Sequence, residues 1–151
     1  NNKIIADSKT AKAEFLAADA LMKGIFDTAY GYVIFPNVGK GGIGVGGAAG
    51  NGVVYEQNTI VGMAKLSQVS IGFQAGGQAY REIIFFESKN ELERFKKSQL
   101  EFSAEVSAVA VTSGASAKAK YTKGVMVFTM QKGGLMYEAS VGGQQFKFKK
   151  I

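Results

Sequence analysis

Near the start of the chain, apolar residues recur at spacings of three and four: Ala11, Phe15, Ala18, Met22 and Ile25. That spacing gathers them on one stripe of a helix and leaves Lys9, Lys12 and Lys23 off it. The pattern predicts a helix over 8–28, capped by Asp7 or Ser8 and stopped or bent at Gly24. An amphipathic helix of this kind either packs on a sheet or lies on a membrane surface, and packing is the expectation.

Past this helix the period falls to two. Tyr32, Val33, Ile34 and Phe35 form a β-favouring run that meets Pro36, the single proline. Proline has no N–H for a ladder, so a strand is expected to end there or to lie at an edge. Gly42, Ile43, Gly44, Val45 and Gly46 then alternate. One face of such a strand carries Ile43 and Val45 and the other is bare, which lets a backbone approach closely or a sheet coil sharply. Gly50-Asn51-Gly52 reads as a hairpin turn that pairs 41–49 with 53–57.

Further on, Val69, Ile71 and Phe73 alternate, and the run 80–87 holds Ile83, Ile84, Phe85 and Phe86. The adjacent phenylalanines require cover on both faces of that strand. Ser88-Lys89-Asn90-Glu91 is a capping box that opens a short helix ending near Gln99, with Leu92 and Phe95 on one side. Phe102, Ala104, Val106, Ala108 and Ala110 alternate with polar residues as a half-buried strand does. The small, polar stretch 113–120 reads as a strand end or loop, and 125–130 is apolar on both faces. Lys132-Gly133-Gly134 turns the chain, 135–141 returns, Gly142-Gly143 turns it again and 144–149 closes. In that last strand Phe146 and Phe148 share one face, and Lys147 and Lys149 the other. Together these elements predict an α+β, mainly β domain: a strongly bent antiparallel sheet or partial barrel with two or three packed helices. Its 151 residues suit a single domain with a real core.

Composition removes several chemistries. With no Cys and no His, the chain has no thiolate nucleophile, disulfide, imidazole base or usual zinc ligand set. Gly42-x-Gly44-x-x-Gly47 has dinucleotide spacing, but β-favouring residues follow it where a helix is needed. Gly39-Lys40-Gly41 lacks the Ser or Thr of a phosphate loop. Glu56 and Glu138 are conceivable as a carboxylate pair, yet nothing in the sequence fixes their separation. The expectation is no enzyme, no cofactor and no metal. The two arginines and mostly core-like aromatics argue against nucleic acid.

Charge does change the picture. The net charge of +6 falls entirely in 118–150, where Lys118, Lys120, Lys123, Lys132, Lys147, Lys149 and Lys150 face Glu138 alone. Such asymmetry marks either an anionic partner or a solvated face.

Several motifs in order carry a resemblance. They are 29–36 (Ala-Tyr-Gly-Tyr-Val-Ile-Phe-Pro), 39–47 (Gly-Lys-Gly-Gly-Ile-Gly-Val-Gly-Gly), 82–87 (Glu-Ile-Ile-Phe-Phe-Glu) and 102–105 (Phe-Ser-Ala-Glu). Lys132-Gly-Gly-Leu-Met-Tyr-Glu138 and Val141-Gly-Gly143 complete the set. The chain resembles a bacterial stand-alone SYLF domain from about Phe15 to Lys149. Eukaryotic relatives join this domain to SH3 or FYVE modules and bind phosphoinositides and membranes, and yeast-type members touch the actin machinery. The resemblance therefore implies lipid binding, and for a bacterial chain an anionic phospholipid membrane as partner. Lys40, within Gly39-Lys40-Gly41-Gly42, matches the family and is placed with the lipid-binding residues on that ground. Some eukaryotic members use an amphipathic N-terminal segment; the corresponding 4–26 is not strongly basic here.

The lysines give an independent expectation. If Phe146 and Phe148 are buried, Lys147 and Lys149 point outward together, and Lys118, Lys120 and Lys123 extend that face if their segment lies alongside. The alternative is an envelope structural or protein-interaction domain with no lipid role. The missing initial Met and the resemblance suggest the bacterial cell envelope, periplasmic or secreted, with an N-terminal segment removed and possible lipid anchoring.

Overall fold

The structure is a computed structural model whose described residues are 1–40, 47–68, 79–100, 102, 106–131, 141 and 143–151. Helices α1 (Asn2–Ala18) and α2 (Met22–Thr28) precede strands β1 (Gly31–Lys40), β2 (Ala48–Glu56), β3 (Thr59–Gln68) and β4 (Tyr80–Phe86). Helix α3 (Lys89–Lys96) follows, then β5 (Ala108–Ala110), a 3-10 turn (Ala115–Lys118), β6 (Val125–Gln131) and β7 (Gln145–Lys150). The strands form one sheet in the order β5-β6-β4-β1-β2-β3-β7. Its pairings are antiparallel except for the parallel β5–β6 pair. The expected α+β, mainly β class holds, as a bent sheet that is not closed among the described residues.

Side-chain alternation divides the core. On one face Phe35, Val54, Leu66, Ile84, Phe86, Val127 and Phe146 pack with Leu92 and Phe95 of α3 and with Phe102. On the other, Tyr32, Ile34, Val53, Tyr55, Phe85 and Phe128 pack with Ala11 and Phe15 of α1 and Met22 and Phe26 of α2. Phe85 and Phe86 thus serve opposite clusters, as their adjacency requires. The capping box forms: Glu91 Oε1 accepts the Ser88 N–H at 3.2 Å and the Ser88 hydroxyl at 2.6 Å.

The helical stripe is right in its packing and wrong in its boundaries. Helix α1 begins at Asn2, and Ser8 lies buried within it rather than capping it. The Ser8 hydroxyl is within 2.7 Å of the Tyr55 hydroxyl, which fixes the helix to β2. The break falls at Asp19, whose backbone is extended, rather than at Gly24. Asp19 Oδ1 accepts the Leu21 N–H at 3.1 Å and Oδ2 accepts the Ser116 N–H at 2.8 Å, so one carboxylate ends α1 and holds the 3-10 turn. After this corner Phe26, not Ile25, is the buried residue beside Met22.

Two strand expectations are corrected. Pro36 sits inside β1, a strand flanked by β2 and β4, because the register shifts there against both neighbours. A bulge leaves one residue outside the ladder, and a residue without an N–H fits it. Gly50-Asn51-Gly52 is not a turn but the middle of β2. A Cβ on Gly52 would lie 2.6 Å from the Phe35 ring, so the glycine makes room for an aromatic side chain in mid-strand. The hairpin turn is Gln57-Asn58, with φ of 50° and 68°, between β2 and β3. Of the run 102–110, Ala108–Ala110 is a strand, and 103–105 lie outside the described residues. Expectations for 41–46, 69–78, 132–140 and Gly142 lie outside the described residues.

Candidate functional site

The sheet register builds a polar row that no linear motif announces. Asn37 of β1 stands opposite Asn51 of β2, Asn51 opposite Lys65 of β3, and Lys65 opposite Lys147 of β7. One rung along, Met63 stands opposite Lys149. These side chains lie on the α1 face of the sheet, where the first two turns of α1 stand over them. A groove of about 620 Å³ opens between, lined by Ile4, Asp7, Asn37, Asn51, Lys65 and Lys147. A recess of about 290 Å³ continues it to Met63, Phe148 and Lys149.

What distinguishes the row is that two lysines stand directly opposite one another. Cβ atoms of directly opposite residues stand about 4.5–5.5 Å apart, and like charges so placed repel. Lys65, Lys147 and Lys149 are exposed and form no ion pair among the described residues. Some other cations have partners, although most exposed lysines, Lys118, Lys120 and Lys123 among them, form no ion pair among the described residues. Lys3 pairs with Asp7 and Lys23 with Asp27 across one helical turn, Arg81 pairs with Glu14, and Lys96 pairs with Glu56 and Glu93. Lys12 Nζ donates to the Tyr32 hydroxyl at 3.1 Å and lies 4.8 Å from the Phe26 ring centroid. The β3–β7 edge therefore gathers Lys65, Lys147 and Lys149 with no acid among their described register partners, and Asp7, which lines the groove beside them, is paired with Lys3.

Lys147 and Lys149 do point away from the core, with Phe146 buried and Phe148 half-buried on the opposite face. Lys118, Lys120 and Lys123 do not extend their surface. Lys118 ends the 3-10 turn, Lys120 follows it, and Lys123 lies in the tight turn before β6, with φ of 51°. Five inter-strand steps separate β6 from β7, roughly 24 Å along the sheet at the usual strand spacing. The lysines also attach at opposite ends of α1, because Asp19 binds Ser116 at one end and Ile4 lines the groove at the other. Lys40 closes β1 opposite Ala48, and its side chain lies outside the described residues. Lys65 was missed from sequence because it becomes basic-site material only through its register with Lys147.

Of the imagined carboxylate pair, Glu138 lies outside the described residues. Glu56 accepts hydrogen bonds from the Tyr30 hydroxyl and from Lys96 Nζ, the latter at 3.3 Å. The Tyr30 bond first, outweighing burial and helped by Lys96, holds its carboxyl below the usual range. After Gly47 the chain enters β2 rather than a helix, so no helix N-terminus meets the glycine spacing.

Fold and site together define an α+β domain with a basic groove at one sheet edge. A family model, Ysc84, described as a Las17-binding protein actin regulator, matches residues 67–150. The chain belongs to this family, which is the SYLF domain family. It is also 29% identical over 127 residues to beta cell expansion factor A of Aeromonas veronii, covering 83% of this chain and 48% of that protein. The chain thus spans about half the length of the curated relative it matches.

Proposed function

We propose that this domain docks, without catalysis, on anionic phospholipid surfaces through the β3–β7 edge, with Lys65, Lys147 and Lys149 as the contacting charges. The observation that carries the reading is the Lys65–Lys147 pair, held opposite one another and in no ion pair among the described residues, while Asp7, the acid lining the same groove, is paired with Lys3. A lipid phosphate placed there relieves repulsion that the free domain bears. The lipid binding that the SYLF resemblance implies points the same way, while the matched family model is itself described by actin regulation. The setting that suits this role is the bacterial cell envelope or its exterior.

Each lysine near an anionic surface contributes about 1 kcal/mol, so three supply about a hundred-fold in affinity. The attraction fades over a Debye length of about 10 Å at 0.1 M salt, so docking weakens as salt rises. The test is sedimentation with phosphatidylglycerol vesicles at low salt, with phosphatidylcholine vesicles as control. Lys65→Gln/Lys147→Gln/Lys149→Gln is expected to lose about a hundred-fold, and Lys118→Gln/Lys120→Gln/Lys123→Gln less than about five-fold. Equal losses in the two triples would move the docking surface elsewhere. A parent protein indifferent to vesicle charge would leave an envelope protein-interaction domain as the better reading.

A further inference from the structure

One carboxyl group in the core has no counter-charge among the described residues. Glu82 of β4 stands between Phe35 of β1 and Thr129 of β6 and is 0% exposed. Gln144 Nε2 donates to its Oε1 at 2.8 Å, and the same nitrogen donates to Gln68 Oε1 at 3.3 Å. Gln144 directly precedes β7, so this amide ties the start of an edge strand to the end of β3 and the interior of β4. Two buried oxygens beside it, Glu82 Oε2 and Thr129 Oγ1, have no hydrogen-bond partner among the described residues, and the Tyr80 hydroxyl reaches the Gln144 side chain.

The groups around Glu82 offer it no positive charge. On its own strand Tyr80 shares the face, and burial first, then the nearby Glu82, keeps that hydroxyl protonated. β1 presents Phe35 and β6 presents Thr129. Arg81 lies on the opposite face and pairs with Glu14 of α1. Among the described residues no lysine or arginine faces the carboxyl.

A single N–H cannot replace the hydration shell of a buried carboxylate. The neutral acid needs no such shell, and its O–H is a donor that the anion lacks, beside the Thr129 hydroxyl opposite it. Burial accordingly outweighs the Gln144 bond and pushes Glu82 up to about 8. If the proton leaves, the anion must find water. β1 and β6 wall β4 on both sides, whereas Gln144 and Gln68 sit at strand ends beside the edge.

We propose that Glu82 is a proton-controlled latch on β7: as the neutral acid it keeps Gln144 and the start of β7 seated, and losing its proton in mildly alkaline solution releases that end. The latch does not depend on what the basic edge binds, although the strand it seats carries Lys147 and Lys149.

The absence of His and Cys makes the test clean, because no other side chain with an ordinary pKa titrates between about pH 5 and about pH 8. A carboxyl whose folded pKa is raised favours the fold most at low pH. That advantage is lost from the unfolded value upward and levels off above the folded value. Amide exchange of β7 is measured across this range for the parent and for Glu82→Gln. Opening of β7 in the parent is expected to rise by up to about ten-fold per pH unit beyond the intrinsic exchange rate. Glu82→Gln should show no such rise and should melt higher than the parent at about pH 8. A parent without the rise, or a variant that follows it, overturns the latch. If Glu82→Gln does not fold, carbon NMR titration of the parent's glutamates decides: a Glu82 midpoint in the ordinary carboxylate range refutes it.

Discussion

The two edges of the sheet carry charge of the same sign in different settings. At the β7 edge the lysines project from a six-residue antiparallel strand anchored beneath by Phe146. Their spacing is set by the ladder, and Lys65 stands opposite one of them. At the β5 edge the strand is three residues long and parallel, and the lysines sit in and after a 3-10 turn held by Asp19. Charge on a rigid ladder is preorganised, and an anion that meets it orders little new structure on binding. Charge on short turns serves solubility at least as well. Equal numbers of lysines in one sequence third thus need not form one surface.

Removing the anchor is expected to have the largest effect. The Phe146 ring lies 5.1 Å from Phe95, 5.6 Å from Phe102 and 6.0 Å from Phe35 between centroids. Phe146→Ala should cost about 3–5 kcal/mol in urea unfolding, and anionic vesicle binding should fall with it although no charge is removed. A loss under about 1 kcal/mol would show that β7 is held by its ladder alone.

The other edge should respond less, and to acid. Burial on its own would raise the Asp19 pKa, but hydrogen bonds from Ser116 and Leu21 outweigh it and leave the group below its ordinary 3.8. With the folded pKa depressed, Asp19 contributes stability above the unfolded value, and that contribution is lost as pH falls through the folded one. Asp19→Asn should cost about 1–3 kcal/mol at neutral pH and flatten part of the acid limb of the stability curve. Vesicle binding at neutral pH should stay within about two-fold of the parent, provided the fold is retained. A drop comparable with the Phe146 variant would couple the two edges.

Much of this architecture is local, and so legible in sequence. The Ser88–Glu91 box, the adjacent Phe85 and Phe86, and the alternation of Phe146 and Phe148 with Lys147 and Lys149 needed only neighbours along the chain. The failures are nonlocal. Gly50-Asn51-Gly52 has hairpin chemistry, but an aromatic ring from β1 claims the space over Gly52. Pro36 looks like a strand end until two neighbours share its bulge. Asp19 breaks the helix by binding residue 116, far away in sequence. For the site, the outward direction of Lys147 and Lys149 was readable. Their pairing with Lys65 and their distance from Lys118, Lys120 and Lys123 depend on register and strand order, which no single stretch encodes.

The claim that one edge does the docking is tested most directly by hydrogen exchange with and without phosphatidylglycerol vesicles. Added vesicles are expected to slow exchange in 63–67 and 145–150, where Lys65, Lys147 and Lys149 lie, while 108–123 remains unchanged. Protection centred on 115–123, or spread equally over both edges, would contradict it.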